Sequence, residues 1–197
     1  MLGRWNKKIN LVGRRDIGNL WTRHIQDALF LYGCLPQVKQ APWLLDVGTG
    51  GGLPGMVLGI VDSGRNYLLL DRSERKVRFL NQVIAELELA NVYTLCGDFS
   101  RDLELDQALP AAATNDPIPA EFAVVCARAV APPDLLWDQV KHLLAAEGEL
   151  LVACGPQTRE QLPANVDVEW WPDESSPEAH GGSETRGTVR LRRRRST

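Results

Sequence analysis

The twelve residues from Leu44 to Gly55, Leu-Leu-Asp-Val-Gly-Thr-Gly-Gly-Gly-Leu-Pro-Gly, constrain this chain more than any other stretch. An apolar run ends in an acidic residue and passes at once into alternating glycines, the pattern of a buried strand turning sharply into a helix. Glycines at 48, 50 and 52 permit positive φ and let a ligand approach the main chain. Pro54 suits the first turn of the helix that follows, where a missing N–H costs nothing. A turn of this kind holds a nucleotide-like cofactor.

Two cofactor classes use such a turn. A dinucleotide site wants Gly-x-Gly-x-x-Gly with the pyrophosphate on the helix N-terminus. Read from Gly48 the pattern fails at Leu53, whereas Gly50, Gly52 and Gly55 satisfy it. Asp46 favours the other class, because a carboxylate at the strand end faces an anionic pyrophosphate poorly and a cationic ligand well. S-adenosylmethionine carries both an ammonium and a sulfonium. Tyr67 to Asp71 is a second apolar strand ending in a carboxylate about 20 residues after the glycine turn, the place where a ribose diol is gripped. Asp71 serves S-adenosylmethionine and NAD equally, and as a plain helix cap it would serve neither.

At 197 residues, 44% hydrophobic, the chain supports one good core, and we expect a single unit over 1–197. The net charge of −3 hides an uneven distribution. Segment 1–35 is basic and helical, with Arg4, Lys7, Lys8, Arg14, Arg15 and Arg23 against Asp16 and Asp27, and the chain closes on Arg190-Leu191-Arg192-Arg193-Arg194-Arg195. Basic ends point to a polyanionic partner, or else to solvated faces. Cys34, Cys96, Cys126 and Cys154 lack the paired spacing of a metal site or disulfide framework, so no metal and reduced thiols are expected. With no leader-like start and no membrane-length apolar run, a cytoplasmic monomer is the expectation.

Helix and strand signals alternate. Ile17, Leu20, Trp21, Ile25, Ala28, Leu29 and Tyr32 recur at helical spacing up to Gly33. Strands are predicted near 43–47, 67–71, 92–96, 122–127 and 148–154. Val77, Leu80, Ile84 and Leu87 mark one intervening helix, and Leu135, Leu136, Val140, Leu143 and Leu144 another. The alternation implies a mostly parallel sheet with helices on both faces. Two last strands near 165–171 and 187–193, joined without a clear helix, would pair antiparallel. The predicted fold is therefore α/β, seven-stranded and Rossmann-like, in the outline of class I S-adenosylmethionine-dependent methyltransferases. Residues 103–119 read as a surface loop.

Asn6-Lys7-Lys8-Ile9-Asn10-Leu11, Arg23-His24-Ile25-Gln26-Asp27-Ala28-Leu29, Asp46 through Gly55, Leu70-Asp71 with Arg75 to Leu80, and Ala127-Arg128-Ala129 follow one another as in the glucose-inhibited division protein B family. The chain resembles these small-subunit ribosomal RNA methyltransferases over residues 4–155. The resemblance implies transfer of methyl from S-adenosylmethionine to N7 of a guanine, position 527 in the 530 loop of bacterial 16S ribosomal RNA. It implies that Gly48 and Leu53 line the cofactor, Asp71 holds its ribose, Phe99 and Ser100 lie on the adenine side, and Arg128 contacts it. An arginine at a strand end also pairs with surface carboxylates.

His24 and Asp27, one helical turn apart, share a face from which to bond each other or RNA, or to pack. Asn6, Lys7, Lys8 and Asn10 would form a polar and basic lip near the target, with Trp5 either stacking there or buried. Guanine N7 carries a lone pair and no proton, so positioning, without an obligatory base, would do most of the catalysis. In two places the chain departs from the family. Only five residues precede Asn6, fewer than in the family, and Ala153-Cys154-Gly155 stands where the family reads Leu-Lys-Gly. These departures leave a catalytically silent cofactor- or RNA-binding relative as an alternative, with an NAD-dependent oxidoreductase behind it.

Overall fold

Apolar runs bounded by turns give five strands, and two further, more polar segments close the sheet: β1 (Trp43–Val47), β2 (Asn66–Asp71), β3 (Val92–Cys96), β4 (Phe122–Arg128), β5 (Leu144–Cys154), β6 (Val166–Pro172) and β7 (Gly187–Arg193). The computed structural model describes residues 1–13, 16–99, 117–155, 161–174 and 186–194. The strands form one sheet in the order β3-β2-β1-β4-β5-β7-β6. Strands β1 to β5 run parallel, and β7 lies antiparallel between β5 and β6. This is the predicted outline. The order reverses between β1 and β4, so a crevice opens beyond their carboxyl ends.

β1 is buried along its whole length, as a central parallel strand must be. Its side chains alternate between two apolar cores. Leu45 and Val47 join Leu68, Val125, Leu136 and Val152 on one face. Leu44 joins Leu69, Leu58, Leu80 and Leu31 on the other. The second face is covered by α2 (Gln26–Gly33), α3 (Gly55–Val61) and α4 (Glu74–Glu86), with α1 (Leu2–Trp5) beside them. α5 (Pro133–Val140) covers the first face through Leu136, Trp137 and Val140.

Several boundaries differ from expectation. The helix predicted from Ile17 to Gly33 is a 3₁₀ turn, Ile17–Asn19, then one wide π turn, Trp21–Ile25, then α2. A π turn inserts a residue into the helical ladder and rotates the phase by about 100°. The predicted apolar face is therefore broken: Trp21 is 66% exposed, while His24 and Leu31 turn inward. Pro54 sits immediately before α3, as its N-terminal cap residue, after a cis Leu53–Pro54 peptide. Strand β5 begins at Leu144, earlier than predicted, because the register against β4 shifts between Phe122 and Val124. Leu143 and Leu144 thus leave the helix of Leu135, Leu136 and Val140. Most of the predicted 103–119 loop lies outside the described residues.

The basic carboxyl end makes internal contacts as far as it is described. Arg192 pairs with Glu149 at 2.7 Å, and Arg190 reaches Glu149 at 3.2 Å and Glu169 at 3.0 Å while stacking over Trp171. Arg193 donates to the carbonyls of Lys141 and Ala145, and Arg194 to that of Ala164. These guanidiniums tie the terminal hairpin to the sheet, while Arg192, Arg193 and Arg194 stay exposed; Arg195 lies outside the described residues.

The packing of α3 gives a contrast between two glycines. A Cβ on Gly55 would collide with Leu69 and lie 2.6 Å from the Asp46 carboxylate, whereas one on Gly33 meets nothing within 4 Å. Gly55→Ala should cost about 1–3 kcal/mol in urea unfolding, and Gly33→Ala should stay within about 0.5 kcal/mol of the parent.

Candidate functional site

The glycine turn after β1 owes its shape to two carboxylates. Gly48, Gly50 and Gly52 take φ of +64°, +60° and +87°, which side chains with a Cβ rarely adopt. Inside the fold, Asp46 Oδ2 accepts from Thr49 Oγ1 at 2.6 Å and from Gly55 N–H at 2.8 Å, joining the turn to the start of α3. At the rim, Asp71 Oδ2 accepts from Gly50 N–H at 2.9 Å, and Oδ1 from Ser73 N–H at 2.9 Å. Ser73, not Asp71, caps α4.

Asp46 is completely buried, and its direction differs from expectation. It shares its strand face with Leu44, under α3, so its oxygens point into the fold and away from any ligand cation. Burial lifts its carboxyl to about 7, outweighing the bonds from Thr49 and Gly55. Oδ1 has no oxygen or nitrogen partner among the described residues, and the neighbouring Cys126 thiol is a weak donor. Asp46 thus frames the site without lining it.

A cavity of about 440 Å³ opens over the carboxyl ends of β1, β2 and β3. Gly48, Asp71, Lys76, Phe99, Ala129 and Gln139 are among its walls. Lys76 Nζ stands 3.5 Å from Asp71 Oδ2. Ala129 holds φ of +53°, a left-handed conformation costing about 1–3 kcal/mol in a non-glycine residue, at the turn where β4 feeds the cavity. Gly50, Gly52 and Leu53 shape the turn from behind, with Leu53 buried in the apolar core at 8% exposure. Ser100 lies outside the described residues.

The amino-terminal segment lies over the turn. Asn6 Oδ1 accepts from the N–H groups of Leu11 and Val12, both at 2.8 Å, while Nδ2 donates to Val12 carbonyl at 3.0 Å. The Asn6 amide therefore braces segment 6–12. Leu11 is pressed so close to Gly51 that a Cβ there would meet it at 3.2 Å. Lys7, Lys8 and Asn10 are exposed on this covering segment. Trp5 packs on Phe79 with ring centroids 5.6 Å apart, so the core reading of that indole holds.

A second cavity, about 250 Å³, lies over the ends of β4 and β5 and shares Ala129 and Ala131 with the first. Arg128 points into it. Its Nε stands 3.5 Å from Asp27 Oδ2, and Arg186 approaches the same carboxylate at 3.2 Å. Burial lowers the Arg128 guanidinium from its ordinary value, and Asp27 opposes that shift. His24 does not bond Asp27: both its ring nitrogens are buried and without a hydrogen-bond partner among the described residues. Burial, followed by the charge of Arg128, pulls the imidazole down to about 4, so it is neutral at pH 7. Cys154 lines the same cavity, and the protein's four cysteines form no disulfide.

Of the residues singled out in the sequence, Gly48, Asp71 and Phe99 line the first cavity, whereas Arg128, expected beside the cofactor with them, lines the second together with His24 and Asp27. The sequence reading missed Lys76, Gln139 and Arg186. Lys76 had a signal, lying five residues after Asp71 in the first turn of α4. Arg186 had none, since chain folding alone brings it to Asp27 across 159 positions.

Comparison with known proteins agrees with this geometry. The model of the GidB family, rRNA small subunit methyltransferase G, matches residues 1–173. The chain belongs to this family. Ribosomal RNA small subunit methyltransferase G of Halorhodospira halophila is 38% identical over 162 residues, 82% of this chain and 68% of that protein. The same enzyme of Marinobacter nauticus is 36% identical over 172 residues, covering 86% and 72% of the two chains, and that of Gluconobacter oxydans 33% over 170, covering 86% and 77%. Among solved structures, a methyltransferase from Geobacter sulfurreducens superposes with a TM-score of 0.58 at 12% identity, covering 98% of this chain and 87% of that one. A chain of the fibrillarin/Nop5p complex gives 0.57 at 11%, covering 85% and 79%. These two likenesses concern the fold, which is that of class I methyltransferases.

Asp46 and His24 give this member of the rRNA small subunit methyltransferase G family opposing pH dependences. Asp46, raised from 3.8 to about 7, contributes stability that is full below pH 3.8 and lost as pH rises through 7. His24, lowered from 6.5 to about 4, contributes stability that is full above pH 6.5 and lost as pH falls toward 4. The two slopes offset between pH 4 and 6.5. Asp46→Asn removes one, so its Tm should fall on acidification from pH 6.5 to 4.5 by more than the parent's, by roughly 1 kcal/mol per pH unit in stability.

Proposed function

We propose that this chain uses S-adenosylmethionine to methylate N7 of a guanine in the 530 loop of 16S ribosomal RNA, within the small subunit or its precursors. Membership of the rRNA small subunit methyltransferase G family carries the reaction class, and the cavity walled by Gly48, Asp71 and Phe99 carries the cofactor. The donor set fits that molecule. Asp71 is a buried carboxylate whose two N–H bonds leave acceptor sites for a diol, Gly48 exposes main chain, and the half-buried Phe99 ring offers a face to an adenine. When bound, S-adenosylmethionine supplies the electrophilic methyl group. Asp46 and Asp71 fix the glycine turn against which it rests, and Leu11 covers that turn.

N7 presents its lone pair in the plane of the base and holds no proton, so the residues around the crevice need to orient and exclude water, not to remove a proton. Exposed Arg4, Lys7 and Lys8 on the covering segment supply phosphate contacts beside the crevice, the basic edge that an RNA substrate requires. On this reading the protein works in the cytoplasm, where its ribosomal substrate would be. No helix among the described residues is long and apolar enough to cross a membrane. We take residues 1–197 as one catalytic unit acting as a monomer. The oxidoreductase reading rested on the glycine spacing alone and receives nothing from the family match.

Purified protein incubated with S-adenosylmethionine and small subunits lacking the modification should yield N7-methylguanine in the 530 loop. Cofactor binding without turnover on free RNA, subunits or precursors would establish the silent relative instead. Asp71→Ala should weaken S-adenosylhomocysteine binding by roughly 10- to 100-fold in calorimetry, and unchanged affinity would reduce Asp71 to a brace for Gly50.

A further inference from the structure

The second cavity holds a polar cluster that the fold does not explain. His24 is only 6% exposed, lines the cavity, and has neither ring nitrogen bonded among the described residues. Leaving such groups unsatisfied costs free energy that an occupant with complementary polar atoms would recover. Beside it the Asp27 carboxylate lies between the guanidiniums of Arg128 and Arg186, at 3.5 and 3.2 Å. The cavity is about 250 Å³, large enough for one flat purine, and stands over the ends of β4 and β5. The cofactor cavity stands over β1 to β3, and the two meet at Ala129 and Ala131. A base seated in the second cavity would present one edge across that shared wall.

We propose that the His24, Asp27 and Arg128 cavity receives the target base and selects guanine by its O6 and N1–H, with the N7 edge turned toward Ala129. This rests on the methyltransferase reading above. The discrimination follows from donor and acceptor order. Guanine sets an acceptor, O6, beside a donor, N1–H; adenine and 2,6-diaminopurine set a donor amine beside an acceptor N1. The cavity sets guanidinium donors beside a carboxylate acceptor, the complement of guanine and the mismatch of the other two. A carboxylate has about four lone-pair sites, so Asp27 can accept from the base while keeping its arginines. Asp27 also offsets the positive charge that N7 alkylation places on the purine. His24, neutral at pH 7, completes the wall without adding a further cation. Extruding a base into such a pocket is how enzymes reach atoms otherwise stacked or paired.

The experiment compares methyl transfer by the full chain to 530-loop substrates carrying guanine, inosine or 2,6-diaminopurine at the target position. All three have N7, while only guanine and inosine keep O6 and N1–H. The wild-type protein should accept inosine within about fivefold of guanine and reject 2,6-diaminopurine by roughly 100-fold or more in kcat/KM. Asp27→Asn and His24→Gln should each narrow that ratio about tenfold or more while S-adenosylhomocysteine affinity stays within about twofold. The ratio is taken within one protein, so a partly unfolded variant does not distort it. Equal use of guanine and 2,6-diaminopurine by wild type, or ratios unmoved by both variants, would overturn the assignment. A loss of S-adenosylhomocysteine affinity that tracks the loss of rate would overturn it too, giving the cavity to the amino-acid end of the cofactor. Absence of wild-type transfer to any substrate would instead sink the methyltransferase reading, and this inference with it.

Discussion

The hydrogen bond from Gly55 N–H to the buried Asp46 carboxylate is the contact on which the site depends. It ties the last turn of β1 to the first residue of α3, and with the Thr49 hydroxyl it closes the glycine loop into a ring. Everything the cavity offers hangs from that loop. Gly48 reaches the cavity wall because the ring holds it at positive φ, and Gly50 turns its N–H to Asp71 because the ring holds it there too. A neutral acceptor would make a weaker tie than a carboxylate, and a fully charged one in this location would carry a heavy desolvation cost. A carboxyl lifted to about 7 lies between these extremes, divided near neutral pH between charged and neutral forms.

Asp71 differs from Asp46 in position more than in chemistry. Both accept main-chain N–H bonds from the same loop, yet Asp46 faces α3 and Asp71 faces the crevice. The parallel register explains the difference. Asp46 lies one residue before the end of β1, opposite Leu69 and Cys126, where the sheet is still covered. Asp71 is the last residue of β2, where the cover ends and the cavity begins. Two carboxylates at strand ends thus divide the work: one holds the loop from inside, the other meets whatever enters.

Much of this was legible in the sequence because strand periodicity and glycine chemistry are local. The five parallel strands, the closing hairpin, the glycine turn and the acidic end of β2 each announce themselves within a dozen residues. What sequence could not deliver was direction. Asp46 at a strand end reads as a ligand contact, but alternation along β1 puts it on the face of Leu44 and not at the rim. Asn6 reads as an RNA-facing amide, and three short-range hydrogen bonds that spacing does not reveal hold it against segment 11–12. The arginine run of β7 reads as a polyanion site, and its bonds to Glu149, Glu169 and several carbonyls are contacts set by strand pairing across more than twenty residues. The π turn at Trp21–Ile25 was invisible because apolar spacing before and after it each looks helical.

His24 and Asp27 bring the amino-terminal segment to the ends of β4 and β5. The segment leaves Trp21 in solvent, lines the second cavity with His24 and Asp27, and turns the Thr22 and Arg23 carbonyls toward arginines. Arg128 and Arg186 then bond those carbonyls as well as Asp27, so the amino-terminal segment is fastened to both β4 and the start of β7. For the transfer to N7 proposed above, which needs no base, such fastening is where catalysis would be invested. Methyl transfer to a lone pair is limited by how well two partners are held in line, and misplacement by an ångström can cost about 100-fold. On that proposal, two cavities that meet at a left-handed alanine, one on the glycine turn and one beside the π turn, would make the alignment a property of the fold and not of any single side chain.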